Sequence, residues 1–286
     1  MSGAEFLTSL EIGLIYGVVA VGIFLTFRII DFPDLTCDGS FTCGAATAAV
    51  ALKASLSPLT SLLLAASAGG LAGLATGILY VKFKVTNLLS GILVAFMLYS
   101  LNLKIMGGIP NITLMNEGTL FVGSNALMLL IAISLGIGSL LSYLLATDFG
   151  LALRSIGQNQ QLAKVMGVRL ASFTVVGLTL SNALIGLGGG LYCQHQSFSD
   201  VSLGIGTVII GLAAVMIGEK LLPFRSLWLN VFACFLGSIV YRLLIALALH
   251  SEWLGLETSD LNLITGLAIL AIMALPQLKG KSTCSA

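Results

Sequence analysis

Three aspartates, Asp31, Asp34 and Asp38, crowd the stretch Asp31-Phe-Pro-Asp-Leu-Thr-Cys-Asp-Gly-Ser-Phe, where an apolar segment is about to begin. Hydrophobic burial does not account for acids at such a place, and two kinds of chemistry do. Asp38-Gly39-Ser40 can open a half-helix whose free N–H groups point toward an anionic group. A zwitterion would then fit, with its carboxylate near the helix start and its ammonium near Asp34 or Asp38. The competing reading is that the three acids cap helices and pair with Arg28. Further polar residues lie inside apolar stretches: Asn87, Tyr99, Ser100, Asn102, Ser181 and Asn182. Interhelical hydrogen bonds, each about 0.6 kcal/mol on average, are the ordinary use of such groups. Asp34, Asp38, Ser40, Tyr99, Asn102 and Asn182 form the candidate set for contact with a passing solute.

Other reactive residues do not assemble into a catalytic or metal-binding pattern. His195 and His250 lack the spacing of metal ligands or of a nucleophile and its base. Cys37, Cys43, Cys193, Cys234 and Cys284 lack zinc spacing and read as small buried hydrophobes. Gly280-Lys-Ser has no partner glycine five positions earlier and no room for a following helix, so it is not a phosphate loop. No catalytic residue, metal or resident cofactor is expected.

The elements that must position these groups follow from composition. Of 286 residues, 57% are hydrophobic and 9% charged, against about 25% charged in soluble domains. This excludes a soluble enzyme, a nucleic-acid binder and a disordered chain, and makes lipid the solvent. A spanning helix needs about 20 apolar residues. Segments near 12–27, 39–52, 57–81, 85–103, 119–147, 171–193, 204–218, 226–250 and 261–278 qualify or nearly qualify. The expected fold is a single all-α transmembrane domain over 1–286, with about nine spans (8–10) and one broken or short segment near 31–52.

Basic residues set the orientation. With the N-terminus outside and the C-terminus cytoplasmic, Arg28, Lys82, Lys84, Arg154, Lys164, Arg169, Lys220, Arg225, Lys279 and Lys281 fall inside, while Lys53 and Lys104 stay outside. The loop at 251–260 has three carboxylates and no Lys or Arg, which fits the outer face. Residues 1–11 read as a short external tail, and the absence of a basic residue before Arg28 argues against a cleaved signal peptide.

Glycines at helical spacing, Gly69, Gly73 and Gly77 with Gly186 and Gly190, are expected to let helix backbones approach closely. Arg242 sits in the middle of an apolar segment and needs a partner or water. Glu219 is one candidate for an ion pair, and a direct solute contact is the alternative.

The basic stretch at 148–170 is the most specific part of the chain. Asp148 can cap a first short helix and Gly157 can end it. Asn159 can cap a second, over 160–166, that ends at Gly167. Leu162, Val165 and Met166 share one face of the second helix. That face suits docking into a groove on another protein, and on physics alone it suits lipid headgroups equally.

Gly150-x3-Arg154-x2-Gly157-x-Asn159-x3-Ala163-x3-Gly167 resembles the coupling loop of ATP-binding-cassette importer permeases. The resemblance is to the branched-chain amino acid and monosaccharide permease superfamily, within it to the tryptophan/tyrosine-type permeases. It extends to the blocks that begin at Asp31, Leu98, Leu180, Gly204 and Gly237, in the same order and spacing. It implies that Arg154, Gly157, Asn159, Leu162, Ala163, Met166 and Gly167 couple the chain to an ATPase.

It also implies a homodimer in the bacterial plasma (inner) membrane, two ATPase subunits that bind ATP-Mg, and an extracytoplasmic substrate-binding protein. Contact with membrane lipid is expected and contact with nucleic acid is not. The cargo implied is a small solute, an amino acid first. Gln194-His-Gln-Ser-Phe-Ser-Asp departs from the family pattern at His195 and Ser197, which bears on cargo identity. The alternative function is an ion-coupled secondary transporter or channel.

Overall fold

In hydrocarbon every backbone polar group must be satisfied within the protein, and this chain meets that demand with helices. The computed structural model describes residues 3–115, 117–122, 125–222, 226–249 and 266. The expected ninth segment at 261–278, the loop at 251–260, Arg225, His250, Cys284 and the basic tail lie outside the described residues.

Helix α1 (Gly3–Ile23) passes directly into a π-helical segment (Phe24–Ile30). Residues from Gly3 onward, expected as a tail, are its opening turns, because Leu7, Leu10 and Ile12 continue the helical pattern outward. The π segment ends at Asp31, whose φ of 57° is left-handed, a region that aspartate tolerates better than most side chains. Helix α2 (Thr36–Lys53) is continuous. The irregular part of the segment expected at 31–52 is therefore confined to 31–35, ahead of a continuous α2.

Helix α3 (Pro58–Phe83) starts at Ser57, whose Oγ accepts the Thr60 N–H at 3.3 Å, with Pro58 at the first helical position. Helix α4 (Asn87–Ile105) precedes strand β1 (Asn111–Thr113) and helix α5 (Ala126–Ala146). Two short helices, α6 (Asp148–Gln158) and α7 (Gln160–Val165), lead to the 27-residue α8 (Leu170–Gln196). Strand β2 (Phe198–Asp200) pairs antiparallel with β1, Ile112 opposite Ser199. Helices α9 (Thr207–Leu221) and α10 (Leu227–Leu249) complete the described chain.

Among the described residues, six helices are long and apolar enough to cross a membrane: α1 with its π extension, α3, α4, α5, α8 and α10. The expected count of about nine is not confirmed among these residues. Helix α9 has 15 residues, about 22 Å at about 1.5 Å per residue, which is short of a hydrocarbon core of about 30 Å. Helix α2 is 18 residues rich in Ala, Thr, Ser and Gly, and is suited to burial among other helices.

The α3–α8 contact is the most extensive between helices, and small residues produce it. A Cβ on Gly69 would strike the Asn182 carbonyl, and one on Gly186 would come within 2.9 Å of the Gly69 Cα. Backbones this close replace the hydrophobic drive that lipid cannot supply. Cys37, Cys43, Cys193 and Cys234 are free and buried, as expected of small hydrophobes.

Candidate functional site

The acids of 31–38 divide by environment. Asp34 is fully buried; its Oδ1 accepts the Thr36 N–H at 2.9 Å and its Oδ2 accepts Asn182 Nδ2–H at 2.7 Å. Asn182 Oδ1 in turn accepts the Ser40 hydroxyl at 2.7 Å. Beside them the Thr36 and Thr76 hydroxyls meet at 2.6 Å. Asp34, Ser40 and Asn182 thus bind the start of α2 to α8 as one satisfied network. Sharing of this kind is what makes a buried carboxylate tolerable.

Asp38 is half-buried in the first turn of α2 and caps a helix other than its own. Its Oδ1 accepts the Val208 N–H at 2.9 Å and its Oδ2 the Gly206 N–H at 3.2 Å. These donors belong to the start of α9, where Gly206 adopts φ 86° and offers no side-chain cap. The carboxylate therefore meets the positive end of the α9 dipole. Arg28, the expected partner of the acids, instead pairs with Glu219 at 2.6 Å. That pairing also removes Glu219 from Arg242. Arg242 is half-buried in α10, within electrostatic range of Tyr16 and Tyr192.

One face of Asp38 opens on a cleft of about 460 Å³ between α2, α4 and the turn after β2. Ile92, Phe96, Tyr99 and Ile205 give it apolar walls, and Asp38 and Asn102 give it polar points. Asn102 is 1% exposed; its Nδ2–H donates to the Gly39 carbonyl at 3.3 Å, but its Oδ1 is buried without a partner. A buried acceptor in that state costs about 1–3 kcal/mol, and this one lies beside the cleft. Tyr99 is 53% exposed at the rim. The candidate set is thereby split: Asp38, Tyr99 and Asn102 share the cleft, and Asp34, Ser40 and Asn182 support the helix behind it.

The stretch at 148–170 forms α6 and α7. Asn159 caps α7 through Oδ1, which accepts the Gln161 and Leu162 N–H groups at 3.0 Å each. Gly167 closes it at φ 84°. Asp148 lies in the first turn of α6 and Thr147 is its N-cap.

Gly157 does not end α6 in a left-handed turn. It lies against the π segment, where a Cβ would strike the Ile29 carbonyl. Arg154 turns inward, donating to the Leu145 carbonyl at 3.1 Å and the Gly150 carbonyl at 3.3 Å, and so braces the α5–α6 corner. Ala163 is fully buried, while Leu162, Val165 and Met166 are 58%, 85% and 72% exposed. Leu162, Val165 and Met166 thus form an exposed apolar stripe beside the exposed Gln161 and Lys164, and Ala163 anchors the helix.

At the opposite membrane end, Gln194 has a role its sequence position did not suggest. Its Nε2 donates to the Pro58 carbonyl at 2.9 Å and Ser61 Oγ at 2.7 Å, and its Oε1 accepts the Leu120 N–H at 3.1 Å. His195 Nε2 lies 2.8 Å from Glu11 Oε2. The β1–β2 pair and the π segment were likewise unforeseen. Strands of three residues carry no readable period, and a π turn keeps the same apolar pattern as an α turn.

The family model described as branched-chain amino acid transport system, permease component, matches residues 6–276. A tyrosine transport system permease protein of Clostridioides difficile is 42% identical over 262 residues, which span 91% of this chain and 88% of that one. An uncharacterised protein of Rickettsia prowazekii is 33% identical over 271 residues, 92% of this chain and 94% of that one. In fold, the chain is similar to PsaBC from Streptococcus pneumoniae, solved in complex with a Fab, with a TM-score of 0.53 at 15% identity over 94% of this chain and 89% of that one.

Proposed function

The chain belongs to the family of branched-chain amino acid transport system permease components and is a multi-pass permease subunit of an ABC transporter; from that premise we propose that it imports an amino acid with an aromatic side chain, powered by a separate ATPase. The exposed apolar face of α7, backed by buried Ala163, carries the reading, because within this permease family such a face suits docking into a partner's groove. The tyrosine permease among its relatives supports the cargo, as do the apolar walls of the Asp38–Asn102 cleft. In that cleft Asn102 Oδ1 and the free side of Asp38 would accept an ammonium, and Phe96 and Tyr99 would flank a ring.

Movement would travel along contacts within the chain. Closure of two ATPase subunits on ATP-Mg pulls the α7 helices of a homodimer together. Helix α7 moves with α6, and Gly157 of α6 bears on the backbone of the π segment at Ile29. Arg28 of that segment holds Glu219 near the end of α9, and the start of α9 is held by Asp38 at the cleft. A π segment is a common site of functional rearrangement, and here it lies between the loop and the cleft.

The protein would lie in the bacterial inner membrane, N-terminus outside and C-terminus cytoplasmic, with cargo delivered by an external binding protein. Co-expression with an ATPase subunit tests the coupling face. Leu162→Glu should abolish co-purification while the permease stays folded, and unchanged co-purification would remove the role given to α7.

A further inference from the structure

Two helix N-termini meet at one cleft on the membrane end that carries α6 and α7. The cleft has a volume of about 480 Å³ and is lined by Lys84 and Asn87 where α4 begins, by Leu170, Ala171 and Thr174 where α8 begins, and by Gln160 of α7. Neither helix start is capped by a side chain: Thr86 and Arg169, the two N-cap residues, make no such hydrogen bond. The first N–H groups of each helix have no intrahelical acceptor, and each start carries about half a positive charge. Lys84 adds a full charge at the rim, held there by a left-handed backbone with φ 55° that ends α3. No residue lining the cleft is acidic.

Thr174 is an independent sign of an occupant. It is 5% exposed, it lines this cleft, and its hydroxyl has no hydrogen-bond partner among the described residues. An unpaired hydroxyl that lines a cleft is a donor left open to whatever enters it. The donors present (two sets of backbone N–H groups, a hydroxyl and an ammonium) match a tetrahedral oxyanion.

We propose that this cleft binds a phosphate group, supplied by the headgroup of an anionic membrane lipid. The chemistry is shared with free phosphate, and the surroundings favour lipid. Phe83, Leu88 and Leu89, at the ends of α3 and α4 beside the cleft, are 64%, 51% and 49% exposed. Apolar side chains beside a basic cleft at a helix end suit acyl chains below a headgroup. Because Gln160 lines the same cleft, a bound headgroup touches the helix given the coupling role. That consequence rests on the proposed function, and the binding itself does not.

The test is thermal unfolding of the purified permease in neutral detergent, titrated with phosphatidylglycerol, phosphatidylcholine or inorganic phosphate. Phosphatidylglycerol should raise the Tm of the wild type in a saturable way, and phosphatidylcholine should not. Lys84→Gln with Thr174→Val should weaken phosphatidylglycerol roughly tenfold or more, since each removes a contact to a charged group. Lys84→Gln alone, at an exposed position, should show part of that loss, and Lys53→Gln at the other membrane end should show none.

A Tm rise with inorganic phosphate alone, lost in the same variants, would uphold the phosphate site and assign it to free anion instead of lipid. An unchanged phosphatidylglycerol response in the double variant would overturn the proposal. Intact lipid binding with lost ATPase co-purification in Lys84→Gln would also overturn it and assign the cleft to a carboxylate of a partner protein.

Discussion

The carboxylate of Asp38, in the first turn of α2, accepts the backbone N–H of Val208 at the start of α9 across 2.9 Å. One acid thus caps a neighbouring helix and also lines the cleft beside it. Asp38→Asn keeps one acceptor but loses the charge opposite the α9 dipole, for which about 1–2 kcal/mol is expected. The variant should fold, melt at a lower temperature and transport slowly. Wild-type uptake by a destabilised Asp38→Asn protein would separate the cap from the pathway and leave only the cap.

Asn182 is expected to be more sensitive to substitution than Asp38. Asn182→Ala strips Asp34 Oδ2 and the Ser40 hydroxyl of their partners in a fully buried place. Orphaned groups of this kind cost about 1–3 kcal/mol each, more when charged. Denaturant titration in micelles should show a clear loss of stability, and Asp34→Asn with Asn182→Ala should recover part of it by removing the buried charge. No difference between the single and the double variant would mean that the network is not coupled.

The α6–α7 loop was the most legible part of the sequence because caps are local. Asn159 and Gly167 act as their residue types dictate, and α7 ends where the left-handed glycine stands. Eight of the nine apolar segments coincide with helices for the same reason, since apolar run length is written in the chain. What was not legible depends on residues distant in sequence. Asp38 meets α9 some 170 positions later, and Asp34 meets Asn182 at a separation of 148. Composition could not tell a carboxylate that caps another helix from one that waits for cargo. The inward turn of Ala163 was missed because a small apolar residue fits either face of a six-residue helix.

That inward turn makes Ala163 a test of anchoring rather than of docking. Ala163→Arg should reduce yield and stability, because an unpaired charge would be forced into the core. Val165→Glu, at a side chain 85% exposed, should leave stability within about 0.5 kcal/mol and weaken ATPase binding. Co-purification combined with a melting curve distinguishes the two. Equal melting losses in both variants would contradict the assigned orientation of α7.

Gly157 is expected to separate binding from coupling. An alanine there presses against the backbone of Ile29 and Ile30 and must push α6 away from the π segment, at about 1–3 kcal/mol. Gly157→Ala should still bind the ATPase through α7, while cargo-stimulated ATP hydrolysis falls severalfold. Full stimulation in that variant would remove the π segment from the route.

The most direct test of the account is uptake by the reconstituted system. The permease, its ATPase subunit and its binding protein should together accumulate labelled tyrosine in proteoliposomes only when ATP is enclosed on the ATPase side, and Leu162→Glu should abolish the accumulation. Uptake by the permease alone, driven by an ion gradient and indifferent to ATP, would contradict the account.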